Sequence, residues 1–478
     1  MNFNSLEFLI FLPVVVLLYW ALPHKFRWAA LLGASYYFYM RWNPRLVGLI
    51  FGTTLVSYLA AILVEKKPKY KRLWLVLTLT VCLGVLAYFK YFTFFVNSAL
   101  SVVNRLAQKN YRLDMDILLP VGISFYTFQT LSYVIDVYRG EFPAEHHFGY
   151  YALFVSYFPQ LVAGPIESAK NLLPQLRKEQ HRNWKDAQMG LCLLLSGFFR
   201  KCVVADTCGI YVNRLFAAAD TACSPAIFLG GALFCIQMYC DFGGYSEIAM
   251  GAARLMGVKL MRNFDRPYLS VSYGEFFRRW HISLNRWFTD YLYIPLGGSR
   301  RGTAKRIRNT VIVFALCGLW HGANWTYVLW GLYAALFVCL EGVFLKPGLR
   351  VLREHGVDTG SDWFRLLRQC VMFLIYIPAA LLFRSTDVSQ ALHLTAGLFA
   401  RGGGLTEAFQ TLGMTGLDVL RVGLFLFCMV KIYPLTLEPE ERGALPLGTY
   451  VYGVLLAAVC WIALLATQGN AAFAYFQF

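Results

Sequence analysis

Long apolar segments recur from one end of this chain to the other. Of its 478 residues, 58% are hydrophobic and only 15% are charged, against about 25% charged residues in an average soluble domain. A helix needs about 20 apolar residues to cross a bilayer, and the segments allow roughly ten or eleven crossings. The sequence therefore predicts an all-α polytopic membrane protein.

The excess of basic residues fits a membrane protein rather than a nucleic-acid-binding one. The formal net charge is +17, and much of it falls in short loops, where Lys and Arg set membrane orientation and attract anionic lipid headgroups. Lys25 and Arg27 follow the first apolar segment, residues 5–22. We expect this segment to be a retained helix with an extracytoplasmic N-terminus, and an even number of spans places the C-terminus on the same side.

The regions between the apolar segments predict further features. Gly164-Pro165 predicts a broken or re-entrant helix, and a helix over residues 224–239 is expected to end before Asp241 and Glu247. Residues 261–308, rich in aromatic and charged side chains, predict amphipathic helices at the cytoplasmic face. The remaining expectations are charged loops over residues 170–186 and 346–368 and a short span over residues 370–383.

The motifs of several common site types are missing. None of the twelve cysteines forms a Cys-x-x-Cys pair, and we interpret them as small buried apolar residues rather than a disulfide or zinc framework. There is no G-x-x-x-x-G-K-[ST] phosphate loop and no G-x-S-x-G nucleophile motif. The histidines lack the neighbouring ligands that a zinc site needs, so no metal site is predicted.

Two histidines are the strongest candidates for chemistry. His321 lies in residues 311–340, an apolar run without Lys, Arg, Asp or Glu. An ionisable side chain at membrane depth is costly and therefore a functional candidate, and histidine exchanges protons near neutral pH. The alternative is a core histidine that is hydrogen-bonded to a neighbouring helix. His281 precedes it by 40 positions, and the pair suits proton transfer in a buried chamber.

Three motifs resemble one family of enzymes. Residues 277–284 (FRRWHISL), 290–298 (DYLYIPLGG) and 318–322 (GLWHG) resemble the membrane-bound O-acyltransferase family, in particular its bacterial branch of polysaccharide O-acetylation. The resemblance continues through residues 120–140, 158–167, 237–247 and 383–384, and so covers nearly the whole chain.

The resemblance implies transfer of an acyl group, usually acetyl, from a cytoplasmic thioester to a hydroxyl outside the membrane. It implies His321 as the catalytic residue and His281 as the second characteristic histidine. Acetyl-coenzyme A is the expected donor, with no permanently bound cofactor. The expected partners are an extracytoplasmic acetyltransferase and a polysaccharide acceptor, at the bacterial inner membrane. One domain over residues 1–478 is implied, with peripheral helices in 1–110, a catalytic core in 117–345 and C-terminal helices and tail in 346–478.

Neighbouring residues suggest how such a site is completed. A hydroxyl needs a positioned base to attack a thioester, and His321 suits that role. Trp320 and Trp325 could form a dry wall or simply pack between helices. Asn324 could orient the imidazole, donate to an oxyanion, or bond between helices. The other expected substrate contacts are Gln237, Asp241, Trp280 and the phosphate-binding candidates Arg278 and Arg279, with orientation and lipid contact as the alternative for basic residues in this region.

The C-terminal tail, residues 473–478, supports a separate hypothesis. It resembles the C-terminus of a small partner in teichoic acid D-alanylation. By that resemblance, Tyr475 enters the chamber from outside and carries the acyl group as a tyrosyl ester. The alternative is an aromatic anchor at the membrane interface.

Two other functions remain open from the sequence. One is a D-alanyl transferase fed by a carrier protein. The other is a proton-coupled transporter or flippase, in which His321, Asp136 and Asp241 form a proton path.

Overall fold

The computed structural model describes residues 1–437 apart from Asp116 and Ala163, together with Gly453. Regular secondary structure in these residues is helical, without strands. The all-α membrane fold predicted from the sequence is therefore confirmed. Six described helices are long and apolar enough to cross a membrane: Pro44–Lys66, Pro68–Ala107, Ser224–Leu255, Trp325–Glu354, Asp362–Arg384 and Gly416–Thr436.

The total of ten or eleven spans stays a prediction. Leu6–Ala21 is a further apolar helix that is shorter than these six. The sequence also predicts a span over residues 450–466, of which only Gly453 is among the described residues. The chain divides into two compact units, the first containing Met1–Leu191 and Ala249–Met261, the second Cys192–Ile248 and Arg262–Phe478.

The first ten helices in chain order supply most of the first unit. The chain is also π-helical over Ala87–Tyr91, between α4 and α5. The helices are α1 Leu6–Ala21, α2 His24–Met40, α3 Val47–Lys66, α4 Lys71–Leu86, α5 Phe92–Ala107, α6 Ile123–Arg139, α7 Phe148–Ser156, α8 Phe158–Leu161, α9 Ala169–Arg177 and α10 Trp184–Phe198.

The helix that was expected to break near Gly164-Pro165 breaks earlier, at Tyr157, and Gly164 and Pro165 lie in the non-helical segment between α8 and α9. Two short buried helices, α7 and α8, meet at Tyr157, and a break at this depth is tolerated only where protein satisfies the backbone. Gln129 Nε2 donates to the carbonyl oxygen of Phe154 at 2.7 Å, and the backbone N–H of Phe158 donates to Ser35 Oγ at 3.1 Å. Buried side chains thus replace backbone hydrogen bonds that the break removes.

The loop predicted over residues 170–186 is wrong in its first half, because α9 occupies Ala169–Arg177. Leu172, Leu173 and Leu176 are buried on one face of this helix. An apolar stripe at helical spacing stabilises a helix through packing, and the high content of polar residues concealed this stripe in the sequence.

The second unit contains most of the remaining helical residues and π-helical turns at Phe199–Ala205, Thr289–Tyr293 and Glu341–Leu345. The amphipathic region over residues 261–308 forms short helices, as expected. The helices are α11 Asp206–Ala217, α12 Ser224–Leu255, α13 Tyr273–Arg279, α14 Ile282–Phe288, α15 Thr303–His321, α16 Trp325–Leu340, α17 Lys346–Glu354, α18 Asp362–Arg384, α19 Val388–Ala400, α20 Leu405–Leu412 and α21 Gly416–Ile432.

The prediction that the helix beginning at Ser224 ends before Asp241 is wrong. Helix α12 continues for 32 residues to Leu255. A Cβ atom at Gly244 would lie 2.7 Å from the carbonyl oxygen of Gly197, so the glycine permits close helix packing rather than ending the helix. The charged loop over residues 346–368 and the short span over 370–383 are also corrected, because α17 occupies part of the former and α18 is 23 residues long.

Candidate active site

The candidate active site is built on the hairpin of α15 and α16. His321 is the last residue of α15, and α16 begins four residues later. A Cβ atom at Gly318 would lie 2.1 Å from the carbonyl oxygen of Tyr327, and one at Gly331 would lie 2.2 Å from that of Phe314. Only glycine permits this approach of the two backbones. The last turn of α15 therefore packs directly on α16.

The His321 ring lies among aromatic side chains. Its centroid is 5.1 Å from the ring of Trp320, 5.1 Å from that of Trp330 and 5.3 Å from that of Phe383. These arrangements are edge-to-face, the favourable geometry for aromatic pairs. Packing from three directions restricts the orientation of the imidazole.

A small cavity opens beside this imidazole, which we name the histidine cavity. It has a volume of about 60 Å³. The walls are almost entirely aromatic or aliphatic, so a reacting group inside meets few competing dipoles. The lining residues are Phe234, Cys235, Met238, Phe242, Tyr268, Tyr273, Phe276, Phe277, Trp280, His321, Trp330, Tyr376, Ala379, Ala380 and Phe383.

His281 lies behind Trp320 rather than in the cavity lining. It is 1% exposed, and its ring is 5.8 Å from that of Trp320 and 4.8 Å from that of Phe242. Burial lowers the pKa of His281 to about 3, so this imidazole is neutral at physiological pH. The structure thus brings the two predicted histidines to the same tryptophan.

The backbone of His281 has a left-handed conformation, with φ 45° and ψ 53°. This conformation is unfavourable for residues other than glycine and occurs where α13 turns into α14. Asn285 Nδ2 lies 2.9 Å from the carbonyl oxygen of Phe277, 2.6 Å from that of Trp280 and 3.2 Å from that of His281. One amide therefore holds the carbonyl groups of the turn in place.

Two predicted substrate contacts, Trp280 and Trp320, are close to the histidine cavity. Trp280 lines it and stacks on Phe276 at 5.3 Å. Trp320 is buried between the rings of His281 and His321. Both residues belong to the aromatic surroundings of the cavity, and their contact with a substrate stays a prediction.

Trp325 does not form the wall that was expected of it. This residue is 49% exposed, and Trp330 takes its place beside His321. Positions five apart on a helix point in different directions, and only the later one faces the cavity.

Asn324 begins α16. Its Oδ1 accepts a hydrogen bond from the backbone N–H of Thr326 at 3.1 Å, and its Nδ2 donates to the carbonyl oxygen of Thr386 at 2.7 Å. The first contact is a helix N-cap. These bonds account for the asparagine structurally, and its contact with an oxyanion stays a prediction.

Gln237 and Asp241 lie on α12 outside the lining of the histidine cavity. Asp241 forms an ion pair with Lys201 at 2.7 Å, and both side chains are 1% exposed. Lys201 also donates to Asp206 at 2.8 Å. Asp136, the other acid of the transporter alternative, lies 3.5 Å from Lys170. Each of these acids is thus close to a lysine.

The predicted phosphate-binding arginines differ in their surroundings. Arg278 is exposed and lines a second, wider cavity of about 370 Å³. Arg279 forms an ion pair with Glu275 at 2.7 Å, and this contact stabilises α13 instead. Tyr475 lies outside the described residues, and among those that are described no three His, Cys, Asp or Glu side chains gather as metal ligands.

The sequence did not identify Trp330, Tyr376 or Phe383 as site residues. They are aromatic residues within apolar helices, and nothing in their local pattern separates them from lipid-facing neighbours. Trp330 and Phe383 contact His321, and Tyr376 lines the same cavity, because α16 packs on α15 and α18 packs on α16. The motifs at residues 277–284 and 383–384 were the signals in the sequence for the aromatic residues of α13 and for Phe383.

Comparison with known proteins agrees with the all-α membrane fold and identifies the family. The family model of the membrane-bound O-acyltransferases matches residues 141–347, which include both histidines. The chain is 34% identical to the probable alginate O-acetylase AlgI of Pseudomonas putida, with 100% of each chain covered. It is 37% identical to the probable alginate O-acetylase AlgI of Pseudomonas aeruginosa, covering 88% of this chain and 79% of the relative.

A relative with a different name has similar coverage. The peptidoglycan O-acetyltransferase of Helicobacter pylori is 32% identical, over 77% of this chain and 73% of its own. The three relatives share O-acetyl transfer in their names and differ in the polymer named. This chain is therefore a multi-pass membrane O-acyltransferase that belongs to the membrane-bound O-acyltransferase family.

Proposed function

We propose that this protein moves an acetyl group from cytoplasmic acetyl-coenzyme A towards hydroxyls of an exported polysaccharide, with His321 as the catalytic base. The observation that carries the proposal is the imidazole of His321 on the wall of an apolar cavity. Such an environment excludes water, which would otherwise hydrolyse an activated ester.

The reaction needs one proton acceptor that becomes a proton donor. The His321 imidazole takes the proton of the acceptor hydroxyl while the oxygen attacks the thioester carbonyl. This attack forms the new C–O bond, and collapse of the tetrahedral intermediate restores the carbonyl and breaks the C–S bond. The imidazolium then returns the proton to the departing thiolate, so the histidine ends as it began.

The position of His321 on its helix favours this cycle. It is the last residue of α15, where the carbonyl end of the helix dipole stabilises a positive charge by about 0.3–1 kcal/mol. That charge appears on the imidazole only during the reaction. His281, which is neutral and touches Trp320, would act as a positioning residue.

The wider cavity supports a route for the donor. Arg278 is exposed on its wall, and a guanidinium group pairs well with phosphate. We assign Arg278 to the phosphates of coenzyme A and leave Arg279 to its ion pair with Glu275. The basic loops support a cytoplasmic side for this entrance, in the bacterial inner membrane, with both termini extracytoplasmic.

Tyr475 supplies the second half of the proposal. Its phenol would accept the acetyl group in the cavity as a tyrosyl ester, and an extracytoplasmic acetyltransferase partner would pass the group to the polysaccharide. The names of the relatives, which include alginate and peptidoglycan, support a polymeric acceptor. In this proposal residues 1–478 act as one domain.

The test uses purified full-length protein with labelled acetyl-coenzyme A. Release of free coenzyme A that disappears in His321→Ala supports the acetyltransferase. Polysaccharide or lipid movement without thioester turnover would favour the transporter, and turnover only with a D-alanyl carrier would favour the D-alanyl transferase.

The shuttle has its own test. Mass spectrometry of the C-terminal peptide should find one labelled acetyl group on Tyr475, absent in Tyr475→Phe. A chain lacking residues 473–478 that acetylates polysaccharide at the normal rate and protein level would end the shuttle hypothesis.

A further inference from the structure

Phe277 is the one described residue that lines both the histidine cavity and the wider cavity. The wider cavity lies between α13, α14 and the hairpin of α15 and α16. Its walls include Arg278 and Thr289, which are both exposed, so it reaches the surface there. On the other side of Phe277 lies the cavity that contains His321.

The contacts of the Phe277 ring place it between these two spaces. The ring is 4.7 Å from that of Phe314, which lines the wider cavity, and 6.3 Å from that of Trp330, which lines the histidine cavity. Cys317 lines the wider cavity and His321 the other. These two residues are one helical turn apart, about 6 Å along α15.

Hydrogen bonds hold the backbone of α13, the helix that carries Phe277, near both of its ends. Asn285 Nδ2 donates to the carbonyl oxygen of Phe277 at 2.9 Å. At the start of α13, the backbone N–H of Gly274 donates to Glu341 Oε2 at 2.7 Å, and Ser272 caps the helix through the N–H of Glu275 at 3.2 Å. The backbone that carries the phenyl ring is therefore held in place, and only rotation about the side-chain bonds of Phe277 can move the ring.

The two cavities that Phe277 separates differ in volume, and this difference bears on the size of the acyl group. The wider cavity holds about 370 Å³ and the histidine cavity about 60 Å³. An acetyl group has two carbons and one oxygen. Each further methylene of a longer acyl group needs additional room between the close-packed aromatic walls of the smaller space.

We propose that Phe277 is a specificity-determining residue that separates the donor's entry cavity from the histidine cavity and restricts transfer to short acyl groups. The proposal rests on the proposed function for the identity of the donor. The separation itself rests only on the two cavities and the contacts of the ring.

The test compares Phe277→Leu with a matched control, Phe288→Leu. Phe288 is buried and lines only the wider cavity, so its truncation removes the same atoms without joining the two spaces. Turnover of acetyl-coenzyme A and butyryl-coenzyme A is measured with each full-length purified protein. We expect Phe277→Leu to raise the butyryl-to-acetyl ratio by on the order of tenfold, the usual scale of methylene discrimination, and Phe288→Leu to leave the ratio unchanged.

A second measurement does not depend on thioester chemistry. Diethyl pyrocarbonate modifies neutral imidazoles, and peptide mass spectrometry follows its reaction with His321. The rate should rise in Phe277→Leu and not in Phe288→Leu. If Phe277→Leu does not fold, Phe277→Met replaces it, because methionine fills irregular space with little strain.

The outcomes separate the two proposals. An unchanged donor ratio in a folded Phe277 variant, or an equal change in the Phe288 control, overturns the role of Phe277. If the wild-type protein turns over neither donor, the proposed function fails. The rates of His321 modification then test by themselves whether Phe277 separates the two cavities. A faster reaction only in the Phe277 variant supports the separation, and equal rates overturn it.

Discussion

The rings of His281 and Trp320 pack edge to face, with centroids 5.8 Å apart and planes at 75°. Trp320 in turn lies 5.1 Å from His321. One indole thus contacts both histidines that the sequence singled out. In the function proposed above, His321 contacts the reacting groups and His281 supports it through Trp320.

The left-handed backbone of His281 predicts how substitutions there affect stability. Asparagine adopts positive φ more readily than β-branched residues do. We expect His281→Asn to unfold at a higher temperature than His281→Val, with a difference of about 1–2 kcal/mol. Thermal unfolding of the purified protein measures the difference. Equal stability of the two variants would show that φ at this position carries no cost.

The pKa of His281 predicts a dependence of stability on pH. Its pKa falls from the ordinary 6.5 to about 3 in the folded protein, so between these values the unfolded chain binds the extra proton. The stability that the neutral His281 imidazole contributes is fully present above about pH 6.5 and is lost as the pH falls towards 3. The unfolding temperature of the wild type should therefore decrease more steeply between pH 6.5 and 5 than that of His281→Asn. Parallel curves would contradict this assignment.

The buried pair of Lys201 and Asp241 predicts a strong asymmetry between single and double substitutions. Lys201→Met leaves the Asp241 carboxylate buried without its partner 2.7 Å away, at a cost of about 3–5 kcal/mol. Adding Asp241→Asn removes that charge and should restore part of the loss. Thermal unfolding in detergent tests both variants. A single Lys201→Met variant as stable as the wild type would show that the pair is not structural.

The amide of Asn285 predicts how substitutions at this position change the stability of the turn between α13 and α14. Asn285→Ala removes a donor shared by three carbonyl groups and should destabilise the protein by about 1–3 kcal/mol. Asn285→Asp should be worse, because a carboxylate would face those carbonyl oxygens. Comparing unfolding temperatures checks the order, and the reverse order would contradict it.

The apolar runs were sufficient to predict the membrane class and the positions of several helices. The first apolar segment, residues 5–22, corresponds closely to α1, and the amphipathic region after residue 261 forms short helices as expected. These features depend on local composition and periodicity, which the sequence displays directly.

The failures have a different physical origin. The helix end predicted before Asp241 is wrong because α12 continues to Leu255, and Gly244 within this helix provides space for a neighbouring backbone. Trp330 and Phe383 meet His321 through tertiary packing between helices that are distant in sequence. The local sequence pattern cannot show which face of an apolar helix turns inward. The sequence therefore predicted Trp325 beside His321, whereas Trp330 occupies that position.

The central claim is that the His321 imidazole performs acyl transfer, and the rate of acetyl transfer by His321→Gln tests it most directly. The measurement compares this variant with wild type at equal amounts of folded protein, following labelled acetyl from acetyl-coenzyme A to the acceptor. Loss of a general base lowers such rates by about 10²–10⁴-fold, and that is the loss we predict. A folded His321→Gln protein that transfers acetyl at the wild-type rate would contradict the account.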